Sequence, residues 1–311
     1  MEKRGIISIG DAFIDYISMN TNNDKFEQKL GGASVNVAVH LSRLKIPSYY
    51  VTKLGRRDDS FFVRKELEKE FIHLDYSIFS SEKKISGVYV HLDKKGERHF
   101  HSYINDTPDD VISEKDILME TIQDKKIFYF GSGTLFHLTA RKATEKAMKF
   151  AKDNQLIVSF DANIRLQRWT SEQECRHIIR SFFPLLDVLK LSEEELLFLF
   201  EVQSVEAGLK MLKQYNIPLV LLTMGEQGAY GLLYHTAIKA SGDPIEVKDT
   251  TGAGDAFMAA ILYNIYRKGM PTSLVELEDY VQKGNLLGAM VATKIGALPA
   301  IDYNSIFLSD F

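Results

Sequence analysis

Asp249-Thr250-Thr251-Gly252-Ala253-Gly254-Asp255-Ala256-Phe257 is the stretch of this 311-residue chain best suited to chemistry. Polar residues lead through two glycines into a run where Phe257, Met258, Ile261, Leu262 and Ile265 recur at helical spacing. Asp255 therefore falls on the first turn of a helix that faces a core. Gly252 and Gly254 allow a tight turn and bring bare N–H groups close to a ligand. With the positive end of the helix dipole, those groups form an anion site. A carboxylate there would repel a phosphate that was merely bound. It makes sense as a base that takes a proton from a hydroxyl attacking a phosphoryl group. The same residues also read as an ordinary capped helix start with glycines in the preceding turn.

Other stretches carry candidate groups. Ile6 to Ile9 is a short apolar run that ends at Gly10-Asp11. It reads as a buried strand with a carboxylate at its carboxyl end, where open α/β sheets place ligands. Asp11 is also a normal turn residue after a strand. Gly31-Gly32-Ala33-Ser34-Val35-Asn36-Val37-Ala38 opens a helix that fits against a sheet, with Asn36 in its first turn. The Asn36 amide can donate to and accept from hydroxyls, or cap the helix. His99 and His101 share a strand face at i, i+2. No cysteine or acidic partner is at hand to make them a metal site, so they read as sheet histidines.

The two glycine-bearing stretches resemble the two signatures of the PfkB (ribokinase-like) carbohydrate kinases. They lie more than 200 residues apart and in the family's order. The similarity runs from about residue 5 to about residue 300. The resemblance implies an ATP-dependent sugar kinase. Asp255 would be the base, and the backbone N–H groups of the Gly252-Ala253-Gly254-Asp255 turn would stabilise the transferring phosphoryl group. Asp11, Gly31, Gly32 and Asn36 would hold the sugar. Phe160-Asp161-Ala162-Asn163-Ile164-Arg165 resembles the D-P-N-x-R element of fructokinases and 2-keto-3-deoxygluconate kinases, with Ala162 in place of proline. It makes Arg165 a phosphate or sugar-acid contact, because a guanidinium matches anionic oxygens bidentately.

Ser192-Glu193-Glu194-Glu195 occupies the place of the family's N-x-x-E motif, with Ser192 where asparagine is common. Ser192 is then a nucleotide contact, and Glu195 helps hold Mg²⁺ through water. The three glutamates are equally an acidic first helical turn. Thr223-Met224-Gly225-Glu226-Gln227-Gly228 resembles T-x-G-x-x-G, which makes Thr223, Gly225 and Gly228 nucleotide contacts. Asn285 is expected beside the adenine, or else faces solvent. Asp249 and its loop are expected to bind a monovalent cation such as K⁺. Gly96-Glu97-Arg98-His99-Phe100 with Tyr103-Ile104-Asn105-Asp106 resembles the D-G-E-R-x-F…Y-R element of fructokinases. It adds Asn105 to the sugar contacts. Ile104 stands where many fructokinases have arginine, which removes an expected cationic contact.

The elements that must position these residues alternate. From Lys126, strand-like runs at Ile127–Phe130, Ile157–Phe160, Val188–Leu191 and Leu219–Thr223 are separated by helical segments Ala140–Asn154, Ser171–Phe183, Glu193–Phe200 and Val205–Tyr215. That rhythm predicts an α/β fold, a doubly wound and mostly parallel sheet with helices on both faces. Gly87–Asp93 and Glu97–Tyr103 alternate around Lys94-Lys95-Gly96 and predict a β-hairpin that breaks the rhythm. With the family resemblance, this means one ribokinase-like α/β domain over 1–311, with a small β-sheet lid inserted from about 12–34 and 85–106. In the family such a lid covers the sugar and often makes a dimer contact, so a homodimer through the lid is expected.

Bulk properties narrow the partners. A net charge of −4 gives no reason to expect a nucleic acid or an anionic membrane. One cysteine, Cys175, suits a reducing cytoplasm. The start MEKRGIISIGD has no apolar stretch long enough for a signal peptide, so a cytoplasmic protein is expected. No G-x-x-x-x-G-K occurs, which excludes a P-loop, and no G-x-G-x-x-G follows the first strand. D-Fructose is the preferred substrate on these readings, with 2-keto-3-deoxygluconate and then ribose behind it. A sugar-binding regulator that has lost catalysis would be expected to lack Asp255 or the glycines, and both are here. A nucleoside kinase would need a larger and more aromatic pocket.

Overall fold

The structure, a computed structural model, describes residues 3–94, 98–105, 110–242 and 244–307. In chain order its strands are β1 (Ile6–Ile9), β2 (Phe13–Ser18), β3 (Phe26–Gly31), β4 (Ser48–Val51), β5 (Lys53–Leu54), β6 (Ile78–Phe79), β7 (Ser86–Leu92), β8 (Arg98–Ile104), β9 (Ile127–Gly131), β10 (Ile157–Asp161), β11 (Val188–Ser192), β12 (Leu219–Thr223), β13 (Ala229–Leu233) and β14 (Thr236–Ala240). An eight-stranded sheet runs β14-β13-β12-β11-β10-β9-β1-β4. From β12 to β4 all neighbours are parallel, while β13 and β14 add an antiparallel edge.

The parallel strands are apolar on both faces because helices cover both. Successive side chains point to opposite faces. So Phe128 and Phe130 join one core with Phe160, Leu189 and Leu191, while Ile127 and Tyr129 join a second with Val188 and Leu219. Helices Leu138–Asp153 and Glu172–Phe182 close the first core. Ala253–Lys268 and Leu274–Ala292 close the second. Ala256 through Ile265 are all buried. A helix buried all round needs an apolar circumference, which this sequence supplies. Gly284 and Gly288 let Leu274–Ala292 approach closely, since a Cβ there would lie 2.7 Å from Phe257 and 3.0 Å from the Ala253 carbonyl.

The apolar run Tyr49–Leu54 does not form one continuous strand. β4 pairs with β1, and β5 leaves the sheet to pair with β6. The Thr52 carbonyl between them accepts from Ile78 N–H at 2.9 Å. A second, four-stranded sheet has the order β3-β2-β7-β8. β7 and β8 are antiparallel, as the alternation predicts. Lys95, Gly96, Glu97 and Asp106 of the expected turn and fructokinase-like element lie outside the described residues. Alternation along β2 and β7 turns Phe13, Asp15 and Val88 toward a cavity in the molecule. Tyr16 and Tyr89 go to the other face, where their rings stack at 4.9 Å.

Candidate active site

A cavity of about 500 Å³ lies at the carboxyl ends of β1, β9 and β10 and beneath the small sheet. Its floor is the start of helix Ala253–Lys268. Gly252 takes φ +78°, and a Cβ there would come within 2.7 Å of Ala297, so both backbone shape and space demand glycine. The Ala253 N–H turns back to the Thr250 carbonyl at 3.2 Å. Ala253 is thereby removed from the donors expected at the anion site. Gly254 and Asp255 remain, because first-turn N–H groups have no helical acceptor.

Asp255 faces the cavity and accepts from Asn36 Nδ2 at 2.8 Å. The signature helix Ala33–Arg43 thus meets the second signature through side chains 219 positions apart. Asn36 Oδ1 is buried without a hydrogen-bond partner among the described residues, an open acceptor beside the carboxylate. Burial raises the Asp255 pKa above the ordinary carboxylate range, against the Asn36 bond and the Lys190 and Arg165 charges. A helix N-terminus by itself lowers a carboxylate's pKa, and removal from water outweighs that effect here. The outcome is a stronger base.

Lys190, on β11, is buried and sits under the same turn. Its Nζ is 2.9 Å from both carboxylate oxygens of Asp161. A Cβ on Gly254 would lie 3.3 Å from that ammonium, so the charge lies against the anion site. Burial works against the Lys190 proton, but Asp161, Glu195 and Asp255 hold its pKa above the ordinary value. Glu195 accepts from the N–H groups of Ile164 at 2.6 Å and Ser192 at 2.8 Å. Ser192 Oγ accepts in return from Glu195 N–H at 3.2 Å, a reciprocal cap on helix Glu193–Phe200.

Two carboxylates reach the cavity from the other side. Asp11 follows β1 and lies 3.6 Å from the buried ammonium of Lys83. Asp15, on β2, has no hydrogen-bond donor among the described residues. Burial pushes its carboxyl up to about 6. Gly31 makes room for it, since a Cβ there would fall 2.5 Å from an Asp15 oxygen.

The cavity brings together Asp11, Gly32, Asn36, Arg165, Gly252, Gly254 and Asp255 of the expected set. Gly31 shapes it from behind Asp15. Asn105 takes φ +53° and donates to the Ile85 carbonyl at 3.2 Å, at its edge rather than within it. Ser192, Thr223, Gly225, Gly228 and Asn285 sit further along the carboxyl edge of the sheet. Thr223 Oγ1 donates to the Leu191 carbonyl at 3.3 Å. Gly225 and Gly228 have φ +55° and +85°. Asn285 Nδ2 donates to the Ala240 carbonyl at 3.0 Å and ties its helix to the end of β14. Asp249 accepts from Thr251 N–H and Gly296 N–H, each at 2.9 Å, and joins two loops.

Ile104 packs over Gly87 on the outer face of the small sheet. The arginine missing there therefore takes no cation from this cavity. Sequence reading passed over Asp15, Lys83, Arg168 and Lys190. Asp15 had a signal, a second carboxylate four residues after Asp11 at a strand position facing the same way. Lys190 had another, a charge inside the apolar run Val188–Leu191. His101 stacks on His91 at 3.8 Å, and among the described residues no three His, Cys, Asp or Glu are grouped to hold a metal. Among them, too, no helix is long and apolar enough to cross a membrane.

The site is that of a phosphoryl-transferring sugar kinase. Residues 3–302 match the pfkB family carbohydrate kinase model, and the chain belongs to that family. It is 32% identical to the probable fructokinase-4 of Arabidopsis thaliana, over 98% of this chain and 95% of that one. The fructokinase of Vibrio cholerae O395, solved with fructose, ADP and a calcium ion, superposes with a TM-score of 0.83 at 29% identity, covering 98% of each chain. Aminoimidazole riboside kinase from Salmonella enterica shares the fold, with a TM-score of 0.84 at 22% identity, over 97% of this chain and 99% of that one.

Proposed function

We propose that this carbohydrate kinase is an ATP-dependent fructokinase that converts D-fructose to fructose 6-phosphate. One observation carries the reading. Asp255 is half-buried at the first turn of helix Ala253–Lys268, bonded to Asn36, in the cavity that also holds Asp11 and Asp15. The fructokinases among its relatives, at about a third identity over nearly the whole chain, supply the sugar. Asp11, Asp15, the Asn36 carbonyl and Gly32 bind and orient the hydroxyls. Asp255 takes the proton from the attacking hydroxyl as the bond to phosphorus forms. The N–H groups of Gly254 and Asp255 and the Lys190 ammonium face the charge that grows on the phosphoryl oxygens. Positioning does most of the work, as a loose transition state demands.

ATP lies along Ser192, Thr223, Gly225 and Gly228, with Asn285 toward the adenine. Mg²⁺ fits the donors present. Glu195 keeps free lone pairs after its two backbone bonds, and a metal that arrives with phosphates needs only one or two protein carboxylates. When bound it neutralises phosphate charge. A K⁺ ion belongs at the Asp249 loop. The ring cluster of Tyr16, Phe26 and Tyr89 on the outer face of the lid supports a homodimer.

A keto-acid substrate is the second reading, favoured by Arg165 and Arg168 in the cavity wall. The test is ADP release from Mg·ATP with K⁺, over fructose, 2-keto-3-deoxygluconate, ribose and a nucleoside, for wild type and Asp255→Asn. Turnover on fructose, lost by orders of magnitude in the folded mutant, is expected. Turnover best on the keto-acid replaces the sugar assignment. A mutant near full activity removes the base.

A further inference from the structure

Arg168 ends the short turn Leu166–Arg168 that follows the β10 motif. From the sequence it has no assigned role. The structure places it in the cavity wall. Its guanidinium carbon lies 4.4 Å from the ring centre of Phe136, 4.9 Å from Tyr103 and 5.7 Å from Phe13. Phe13 and Tyr103 belong to the lid sheet, and Phe136 belongs to the α/β body. Buried Trp169 meets Phe136 edge-on at 6.4 Å and 71°. A guanidinium held over aromatic faces keeps its N–H fork in the ring-free directions, and it loses little freedom when that fork binds. Arg168 and all three rings line the same cavity as Asp15 and Asp255, so a sugar bound there would lie beside the guanidinium. Val88 and Trp169 also line the cavity.

We propose that Arg168 is a specificity-determining residue. It donates to a sugar hydroxyl away from the reacting end and, through Phe13 and Tyr103, fixes the lid over that hydroxyl. This rests on the fructokinase reading above and adds the donor that complements its acceptors. Asp11 and Asp15 accept from hydroxyls, and Arg168 supplies a donor that selects an oxygen in a fixed place. A substrate lacking that oxygen loses the bond.

The experiment compares wild type, Arg168→Met and Arg168→Lys, with fructose and its 1-, 3- and 4-deoxy analogues as substrates. Methionine keeps the volume and removes the charge. Lysine keeps the charge and loses the fork. Expected for Arg168→Met is a sugar KM raised at least about tenfold, the size of one lost charge-assisted hydrogen bond, with the ATP KM and the melting temperature held. Arg168→Lys should fall between. One deoxy sugar should be discriminated against by wild type and not by Arg168→Met, which a merely structural arginine would not produce. A sugar KM within twofold of wild type, or a discrimination pattern that survives in Arg168→Met, overturns the proposal. Wild type silent on fructose instead sinks the reading beneath it, and is seen before any variant is made.

Discussion

Replacing Asp15 by asparagine should stabilise the free protein and weaken its hold on the sugar. Burial lifts the Asp15 carboxyl from 3.8 to about 6. A proton then binds the folded state more tightly than the unfolded one. The stability this brings is complete below about pH 4 and is lost as pH rises through about 6. At pH 7.5 the ionised group costs the fold up to about 3 kcal/mol, at about 1.4 kcal/mol per pKa unit. Solvent in the cavity makes that a ceiling. At about 2.1 cal/mol/K per residue, one kcal/mol moves the melting point of 311 residues by about 1.5 °C, so Asp15→Asn gains at most about 4–5 °C at pH 7.5 and nothing at pH 4. The price is an acceptor for a hydroxyl, a sugar KM higher by tenfold or more. In wild type, kcat/KM for the sugar should fall as pH drops through about 6, as the carboxylate is protonated. Melting curves at both pH values and steady-state kinetics check this. A variant no more stable at pH 7.5 than wild type, with an unaltered sugar KM, would show that Asp15 is solvated and idle.

Lys190→Met strands Asp161 in the interior, which costs about 3–5 kcal/mol and should abolish turnover. Adding Asp161→Asn should restore much of the stability but not the activity, measured by urea unfolding and ADP release. Stability lost alike in single and double variants would mean the pair is not the cause. Gly252→Ala meets both φ +78° and a 2.7 Å clash with Ala297. It should cost about 1–3 kcal/mol and lower kcat more than it raises the sugar KM, a split that normal kinetics in a stable variant would contradict.

The alternation of apolar strands with helices was legible because a parallel sheet covered on both faces leaves few polar positions to blur the runs. Val188–Leu191 and Leu219–Thr223 fell within a residue of their places for that reason. β13 and β14 were missed, since Ala229–Leu233 and Thr236–Ala240 are joined through Tyr234 and His235 rather than a glycine turn, and the second is mostly exposed. The lid's β2 and β3 were weak for a similar reason. One face of β2 turns to a wet cavity, so Asp15 and Phe13 interrupt the expected hydrophobic alternation. Asp255, Asn36 and Asp11 were readable from local glycines and strand ends. Lys83 and Arg168 were not, because each acquires meaning only from a partner far along the chain.

Those partners also separate the site's carboxylates by what each can do. Asp161 is bound at 2.9 Å by a buried ammonium, and its lone pairs are committed. Asp11 follows β1 and has the Lys83 ammonium at 3.6 Å, so it is held by a partner away from the first turn of helix Ala253–Lys268. Glu195 is fixed by two N–H groups and lies at a helix start. Asp255 alone combines burial with a single neutral donor, Asn36, at the anion site. Asp15 has a raised pKa as well, but it lies on the small sheet, across the cavity from the first-turn N–H groups that the proposed mechanism assigns to the phosphoryl group. Proton removal must happen where the new bond to phosphorus forms, so the proposed mechanism gives Asp15 a binding role rather than that of the base. The proposed mechanism thus divides phosphoryl transfer and sugar recognition between the helix of the second signature and the sheet that covers it. Asn36 is the side chain that joins them.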